Sequence, residues 1–319
     1  MLDVMDSELT AVHLDERLEA AYADHRQSLM GIAYRMVSSF SDAEDLVQDA
    51  FVRLRGALQA GRRPDSDRAY LVTITTRLAI DHLRSARVRR EAYVGPWLPE
   101  PAVTGRTDLA DDVALADSLS TAFLVLLERL GPEQRAVLLL RDVFDFPFAE
   151  IAEIIGKSVE ATRQIATRAR RLVHDGRPRF PVDKQAADDL AGRFFGAARE
   201  GDLPALVALL TDDAEFVGDG GHSRRGLTRT VQGSEAVALV VRGIFRQLVE
   251  VGGRAEPATV GGQPAVLILD PDGGLYGVWS LVISARQVLT VHGMVNPGKL
   301  THLGIQLSNI QSRSTHSGR

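Results

Sequence analysis

FAEIAEIIGKSVEATRQIATRARRLV, Phe148 to Val173, is the stretch whose pattern decides the reading of this chain. It reads as two short helices joined by a tight turn. Ile151, Ala152 and Ile155 give the first an apolar stripe, Gly156 allows the bend, and Ser158 can cap the second by accepting from its unpaired amides. On the second helix Ala161, Ile165, Ala169 and Leu172 recur at helical spacing and are expected to face inward. The opposite face then carries Glu160, Arg163, Gln164, Thr167, Arg168 and Arg171. Arginine and glutamine bond base edges, and threonine and arginine bond phosphates, so the pattern implies a helix-turn-helix whose second helix enters a major groove. Helical hairpins with surface arginines also occur where no DNA is bound. Local charge separates the two readings, because residues 157–179 hold seven Lys/Arg against two Asp/Glu in a chain of net charge -5.

That acidic balance argues against a protein that coats nucleic acid by itself, since phosphate neutralisation supplies most non-specific affinity. DNA binding is therefore expected to be local or assisted by a partner. The 319 residues suffice for two or three domains, and 45% hydrophobic with 25% charged residues is ordinary globular composition. With no cysteine, disulfides, thiol catalysis and cysteine-based zinc sites are excluded, which fits a reducing cytoplasm. The acidic first twenty residues lack the apolar core of a signal peptide, and no apolar run approaches a membrane span, so a cytoplasmic protein without a membrane partner is expected.

In Asp42 to Leu54, DAEDLVQDAFVRL, the residues Ala43, Leu46, Val47, Ala50, Phe51 and Leu54 form one continuous stripe, with Ser41 as the expected N-cap. Asp45, Gln48, Asp49 and Arg53 lie opposite, on what composition alone would make a solvated face. Ala69 to Glu91 is a basic helix expected to bury Leu71, Ile74, Leu78 and Leu83. Arg77, Arg84, Arg87, Arg89 and Arg90, with Thr73, Thr75, Thr76 and His82 interleaved, suit a nucleic-acid backbone or an unstacked base. Helical pattern stops at 93–116, where Pro96, Pro99 and Pro101 favour extended chain and an interdomain linker. Trp97 and Leu98, framed by these prolines, are expected to dock on a neighbour because exposing an indole is unfavourable.

The three segments in this order, EDLVQDAFVRL, AYLVTITTRLAIDHLRSARVRRE and LERLGPEQRAVLLLRDVFDFPFAEIAEIIGKSVEATRQIATRARRLV, resemble the extracytoplasmic-function (ECF) sigma factors of bacterial RNA polymerase. The resemblance covers residues 18–173. It implies core RNA polymerase as a partner, through its β′ clamp helices and β flap, with Asp45, Gln48 and Asp49 on the docking face. It also implies promoter DNA, with Thr76, Arg77, Arg84 and Arg87 at the minus-ten element and Ser158, Glu160, Arg163, Gln164, Thr167, Arg168 and Arg171 at the minus-thirty-five element. Two departures stand out. Thr162 occupies an inner position where the family packs Val or Ala, and Phe146-Pro147-Phe148 replaces a polar turn, which leaves the N-cap of the first helix unassigned.

Beyond Val173 about 140 residues follow that an ordinary member lacks. They read as two helices broken at Gly201-Asp202, a strand through Ala214 to Val217, a helix with Val237, Val240, Val241, Ile244 and Leu248 inward, and four strand-like runs. That order implies an α+β cone with a curved antiparallel sheet around a pocket, and it resembles the SnoaL-like domains. The resemblance directs attention to Asp219, His222, Asp270 and His292 as pocket acids or bases, none of them at diagnostic spacing. It also marks a subgroup of sigma factors with WLPEP, DGGG-like and NPxKL motifs. Here these are Trp97-Leu98-Pro99-Glu100-Pro101, Gly218-Asp219-Gly220-Gly221, which is shifted with His222 following in place of a glycine, and Asn296-Pro297-Gly298-Lys299-Leu300. The implied role is a built-in regulator that docks on the linker.

The expected architecture is therefore multidomain: an all-α region 2 domain (1–92), linker (93–116), an all-α helix-turn-helix domain (117–176), connector (177–184), α+β SnoaL-like domain (185–303) and a disordered tail (304–319). No catalytic residue, metal or cofactor is assigned, and a small-molecule ligand of the C-terminal pocket is left open. A cone that turns over a small substrate is the alternative.

Overall fold

The computed structural model describes residues 2–91, 93, 95–107, 109, 118–174, 183–221 and 229–308. The chain forms two compact units, one of residues 1–88 with 127–175 and the other of residues 89–126 with 176–319. The linker thus belongs with the C-terminal domain.

The first unit is helical: α1 (Leu2–Val37), α2 (Phe40–Gln59), α3 (Asp67–Glu91), α5 (Pro132–Asp142), α6 (Phe148–Ile155) and α7 (Val159–His174), with α4 (Thr121–Leu127) reaching it only at its last residue. α2 buries Ala43, Leu46, Val47, Ala50 and Leu54 as its spacing requires. Its N-cap is Ser39, which accepts from the Asp42 amide at 3.3 Å; Ser41, the expected cap, lies inside the first turn. Tyr34 of α1 stacks on Phe40 with ring centroids 4.2 Å apart. Arg135 of α5 is almost wholly buried and closes two helix ends. It donates to the carbonyls of Met36 in α1 and Leu127 in α4 and pairs with Glu128 at 2.9 Å. Placing a guanidinium on unsatisfied C-terminal carbonyls answers both the helix dipole and the hydrogen-bond deficit.

In the second unit α8 (Lys184–Glu200), α9 (Leu203–Leu209) and α10 (Ser234–Glu250) pack on one face of a six-stranded sheet. Asp183 caps α8, and Gly201 ends it with a left-handed φ of 75° before Asp202 caps α9. The strands are β1 (Leu210–Asp219), β2 (Val231–Gln232), β3 (Arg254–Val260), β4 (Gln263–Leu269), β5 (Leu275–Ser284) and β6 (Gln287–Met294), in spatial order β2-β1-β6-β5-β4-β3. The sheet is mixed rather than antiparallel throughout, because β1 and β6 pair parallel inside it, next to the β2 edge strand. Two faces follow from the two-residue period. Phe216, Trp279, Leu281, Val266 and Val291 meet the helices, with Trp279 edge-on to Phe216 and Phe245. Val278, Leu267, Leu269 and Met294 meet Leu98 and Val103 of the linker. Residues 304–308, expected to open a disordered tail, are ordered: the Gln306 carbonyl accepts from Leu275 N at 2.7 Å, and Ser308 donates to Asp270 at 2.7 Å. The rest of that tail lies outside the described residues.

Candidate functional site

Three surfaces carry the residues singled out by the sequence. On α7, Glu160, Arg163, Gln164, Thr167, Arg168 and Arg171 are all exposed on one side. The inward stripe is rotated by one residue from the expected one: Thr162, Ala166, Ala169 and Val173 are buried, Ala161 and Ile165 are half-buried, and Leu172 is exposed. The stripe runs on through Ala166 and Val173 instead of Ile165 and Leu172, and Thr162 is buried, as the inner position implied by the resemblance requires. Its methyl packs inside while its hydroxyl donates to the Ser158 carbonyl at 2.9 Å. On α6 the buried residues are Ile151, Ala152 and Ile154, and Ile155 is half-buried. Ser158 accepts from Ala161 N at 3.2 Å, as expected of an N-cap, and Gly156 makes the turn at φ 69°. Pro147 stands at the α6 N-cap without a side-chain hydrogen bond.

The α3 surface differs more from expectation. The buried stripe is Leu71, Val72, Thr75, Thr76, Ala79, Ile80 and Leu83, with Ile74 and Leu78 only half-buried. Thr76 is fully buried, so its hydroxyl does not face a nucleic acid in this structure; β-branched threonine again reads as polar in sequence and packs like valine. Arg77 is exposed, yet its Nε donates to the Ile154 carbonyl at 2.8 Å and its NH2 to that of Glu153 at 3.0 Å, closing the C-terminal end of α6. Arg84 pairs with Asp81 and Glu133, each at 3.1 Å. The Arg87 side chain lies outside the described residues. On α2, Asp45, Gln48 and Asp49 are exposed, and Val52 joins them one turn on, 68% exposed. Sequence reasoning passed over Val52, although an apolar residue on the face opposite the core stripe was its signal.

The third surface is the linker dock. Asp219 ends β1 with no solvent exposure and takes four hydrogen bonds. Tyr93 Oη and Gly221 N donate to Oδ1, and Leu98 N and Lys299 Nζ donate to Oδ2, the last two at 2.8 Å. Lys299 also donates to the Leu98 carbonyl at 2.6 Å and lies 4.0 Å from the centre of the Trp97 ring. Asn296 donates to Tyr93 Oη at 2.9 Å and caps the following 3-10 turn through Gly298 N. Burial and the Asp219 carboxylate together raise the Tyr93 pKa, so the phenol stays a donor. Pro99, Glu100 and Pro101 are buried, and His302 meets the Pro101 carbonyl at 3.0 Å. Further along, Val103 bridges to Val260, Thr104 N donates to the Thr259 carbonyl at 2.9 Å, and Ser280 donates to Thr121 at 3.3 Å. The structure therefore brings all three motifs, Trp97–Pro101, Asp219–Gly221 and Asn296–Leu300, to one place. Gly220 is buried beside Asp219, and Leu300 enters the core that Leu98 joins, just after Pro297.

The other candidates for pocket chemistry are placed differently. Asp270 closes a turn by accepting from Asp272 N, Gly274 N and Ser308. His292 pairs across the sheet with Ser280, on the face that carries the linker; burial lowers its pKa to about 4, and its Nδ1 has no hydrogen bond among the described residues. His222 lies outside the described residues. No helix of the described residues is long and apolar enough to cross a membrane.

Comparison with known proteins agrees with this arrangement. Residues 21–89 match Sigma-70 region 2, and residues 120–173 match Sigma-70, region 4. The chain is 36% identical over 309 residues to the ECF RNA polymerase sigma factor SigJ of Mycobacterium tuberculosis, covering 92% of this chain and 96% of that protein. It is 35% identical over 292 residues to the probable ECF RNA polymerase sigma factor SigI of the same species, covering 91% and 97%. The crystal structure of Mycobacterium tuberculosis SigJ superposes with a TM-score of 0.70 at 33% identity, over 90% of this chain and 98% of that one. With regions 2 and 4 in order and a relative aligned over nearly its full length, the chain belongs to the ECF RNA polymerase sigma factors, which bind core polymerase and direct it to promoters.

Proposed function

We infer that the C-terminal domain of this sigma factor is a built-in regulator that acts by holding the linker between regions 2 and 4. The observation that carries this reading is the Asp219 hub, which clasps Tyr93 and Leu98 from one side while Lys299 closes on the Leu98 carbonyl from the other. Reading two promoter elements at once requires regions 2 and 4 to reach apart. A free linker extends by roughly 3.3 Å per residue, and docking removes that reach. Closed and polymerase-competent arrangements would then differ in whether Trp97 to Pro101 is seated. Transcription reconstituted with purified core polymerase tests this, using Trp97→Ala and Asp219→Asn in the full chain. A change in promoter output of either sign supports intramolecular control, and unchanged output overturns it.

Within the same reading, Asp45, Gln48 and Asp49 dock on the β′ clamp helices with Val52 as their apolar centre, and region 4 approaches the β flap. Arg77, Arg84 and Arg87 serve the minus-ten element. The exposed side of α7, together with Ser158 at its start, serves the minus-thirty-five element. Val52→Asp should weaken core binding with the fold intact. The domain is read as non-catalytic, because Asp219 and Asp270 are committed to structural hydrogen bonds and His292 faces the linker side of the sheet. Turnover of any small molecule that is lost in Asp219→Asn would overturn that part.

A further inference from the structure

The C-terminal domain contains a cleft of about 590 Å³ that neither the linker dock nor the sigma regions use. That volume falls within the range of small-molecule sites. Its roof is one face of α8, where Gly192 and Gly196 lie a turn apart beside Phe195. Its floor is the edge strand β3, where Ala255, Pro257 and Thr259 share the helix-facing side with Ile268, Val266 and Pro264 of β4. Phe245 and Leu248 of α10 close one side.

Small residues on both walls keep this space open. Each glycine inside a helix costs up to about 1 kcal/mol relative to alanine. Packing does not demand the two in α8, because a Cβ at either would meet nothing within 4 Å. Leucine or phenylalanine at the same positions would extend the neighbouring core instead. The charges are polarised along the roof. Arg199 is exposed at one end and forms no ion pair among the described residues, whereas Arg254 is engaged by Glu256 at 2.8 Å. Asp188 stands eleven residues earlier on α8, about 16 Å away at 1.5 Å per residue. Asp188 is itself paired with Lys184 at 2.9 Å, so the net attraction for an anion lies at the Arg199 end.

The floor also touches the linker dock. Thr259 lines the cleft, and its carbonyl accepts from Thr104 N of the linker. Two residues on, Gly261 is pressed so closely by the backbone of Leu119 and Ser120 that a Cβ there would lie 2.2 Å from the Leu119 carbonyl carbon. We propose that the cleft binds an elongated apolar molecule carrying one anionic group, its body between the α8 glycines and β3 and its anion at Arg199, and that occupancy alters the hold on the linker through Thr259. The coupling rests on the linker-control reading; the binding does not.

The experiment uses full-length protein and two dyes of one skeleton, anilinonaphthalene sulfonate and uncharged phenylnaphthylamine, titrated by fluorescence. Saturable one-site binding of the sulfonate is expected, weakened roughly tenfold or more by Gly196→Phe, which fills the cleft. Gly192→Leu serves as the second filling variant where circular dichroism shows Gly196→Phe misfolded. Sulfonate affinity unchanged by a folded filling variant overturns the site. Arg199→Gln should weaken the sulfonate and leave the neutral dye alone, and equal effects on both overturn the anionic end. Hydrogen exchange in the peptide spanning 98–107 should change at dye saturation, and no change overturns the coupling. Dye binding with linker exchange intact, but no effect of Trp97→Ala on transcription, would overturn the control reading and leave the site standing.

Discussion

Lys299 holds Asp219 at 2.8 Å in a pair whose carboxylate has no solvent exposure and whose ammonium side chain is 12% exposed. Desolvating such a pair is costly, and its remaining hydrogen bonds to Tyr93, Gly221 and the Leu98 backbone offset that cost. Removing one partner alone strands a buried charge. Asp219→Ala or Lys299→Met should therefore each destabilise the second unit by roughly 3–5 kcal/mol. The double variant should lose clearly less than their sum. Both tryptophans, Trp97 and Trp279, belong to this unit, so selectively excited tryptophan fluorescence during urea unfolding reports on it alone. Additive losses would mean that the two side chains act independently.

The pH dependence of the same unit follows from His292. Burial lowers its folded pKa to about 4, below the ordinary 6.5, so the unfolded chain binds the proton more readily. Stability is then fully present above about pH 6.5 and is lost as pH falls toward 4. The loss at pH 5 is about 2 kcal/mol from this one residue. His302, also lowered by burial, adds in the same direction. The urea midpoint followed by tryptophan fluorescence should fall between pH 7 and 5, and His292→Phe should flatten that slope. A slope identical in the variant would show that other groups carry it.

Much of this was legible in the sequence where one strong periodic signal sufficed. The α2 stripe from Ala43 to Leu54, the Gly156 turn with its Ser158 cap, and the docking of Trp97 and Leu98 all rest on local chemistry. The burial of Thr76 was missed because threonine carries a hydroxyl in the sequence and behaves as a valine once that hydroxyl is enclosed. On α7 the stripe expected through Ala161, Ile165 and Leu172 conflicts with the inward place that the resemblance gives Thr162, and the structure follows Thr162. The parallel pairing of β1 with β6 joins residues some 75 positions apart, and no short-range pattern encodes it. For His292 the two-residue period identifies its partners on one face. Which face the linker covers depends on chain segments far away.

Gly221 and Gly156 offer a controlled comparison. Both adopt left-handed backbone, with φ of 62° and 69°. An alanine Cβ at Gly156 would meet nothing within 4 Å, whereas at Gly221 it would fall 2.7 Å from Asn296 Nδ2, the donor to Tyr93. Gly156→Ala should cost only the backbone term, about 1 kcal/mol. Gly221→Ala adds displacement of Asn296 and should cost roughly 2–3 kcal/mol, with the Trp97 emission shifting toward that of an exposed indole. Equal losses would mean that Asn296 moves aside freely and that its bond to Tyr93 contributes little.

Arg77 cannot serve promoter DNA and the α6 carbonyls of Ile154 and Glu153 at the same time, because its donors are already committed at 2.8 and 3.0 Å. If Arg77 serves the minus-ten strand as proposed, that binding competes with the α3–α6 contact. Charge-assisted bonds of this kind contribute about 1.5–3 kcal/mol where shielded and less where exposed, as here. Absence of cysteine makes the test clean, since Ser85→Cys and Glu150→Cys, on exposed positions of α3 and α6, supply the only thiols for spin labels. The label-to-label distance distribution should be narrow in the parent, broaden with Arg77→Ala, and broaden in the same way when holoenzyme binds promoter. A distribution unmoved by Arg77→Ala would show that the contact holds nothing, and that this arginine is available to DNA without competition.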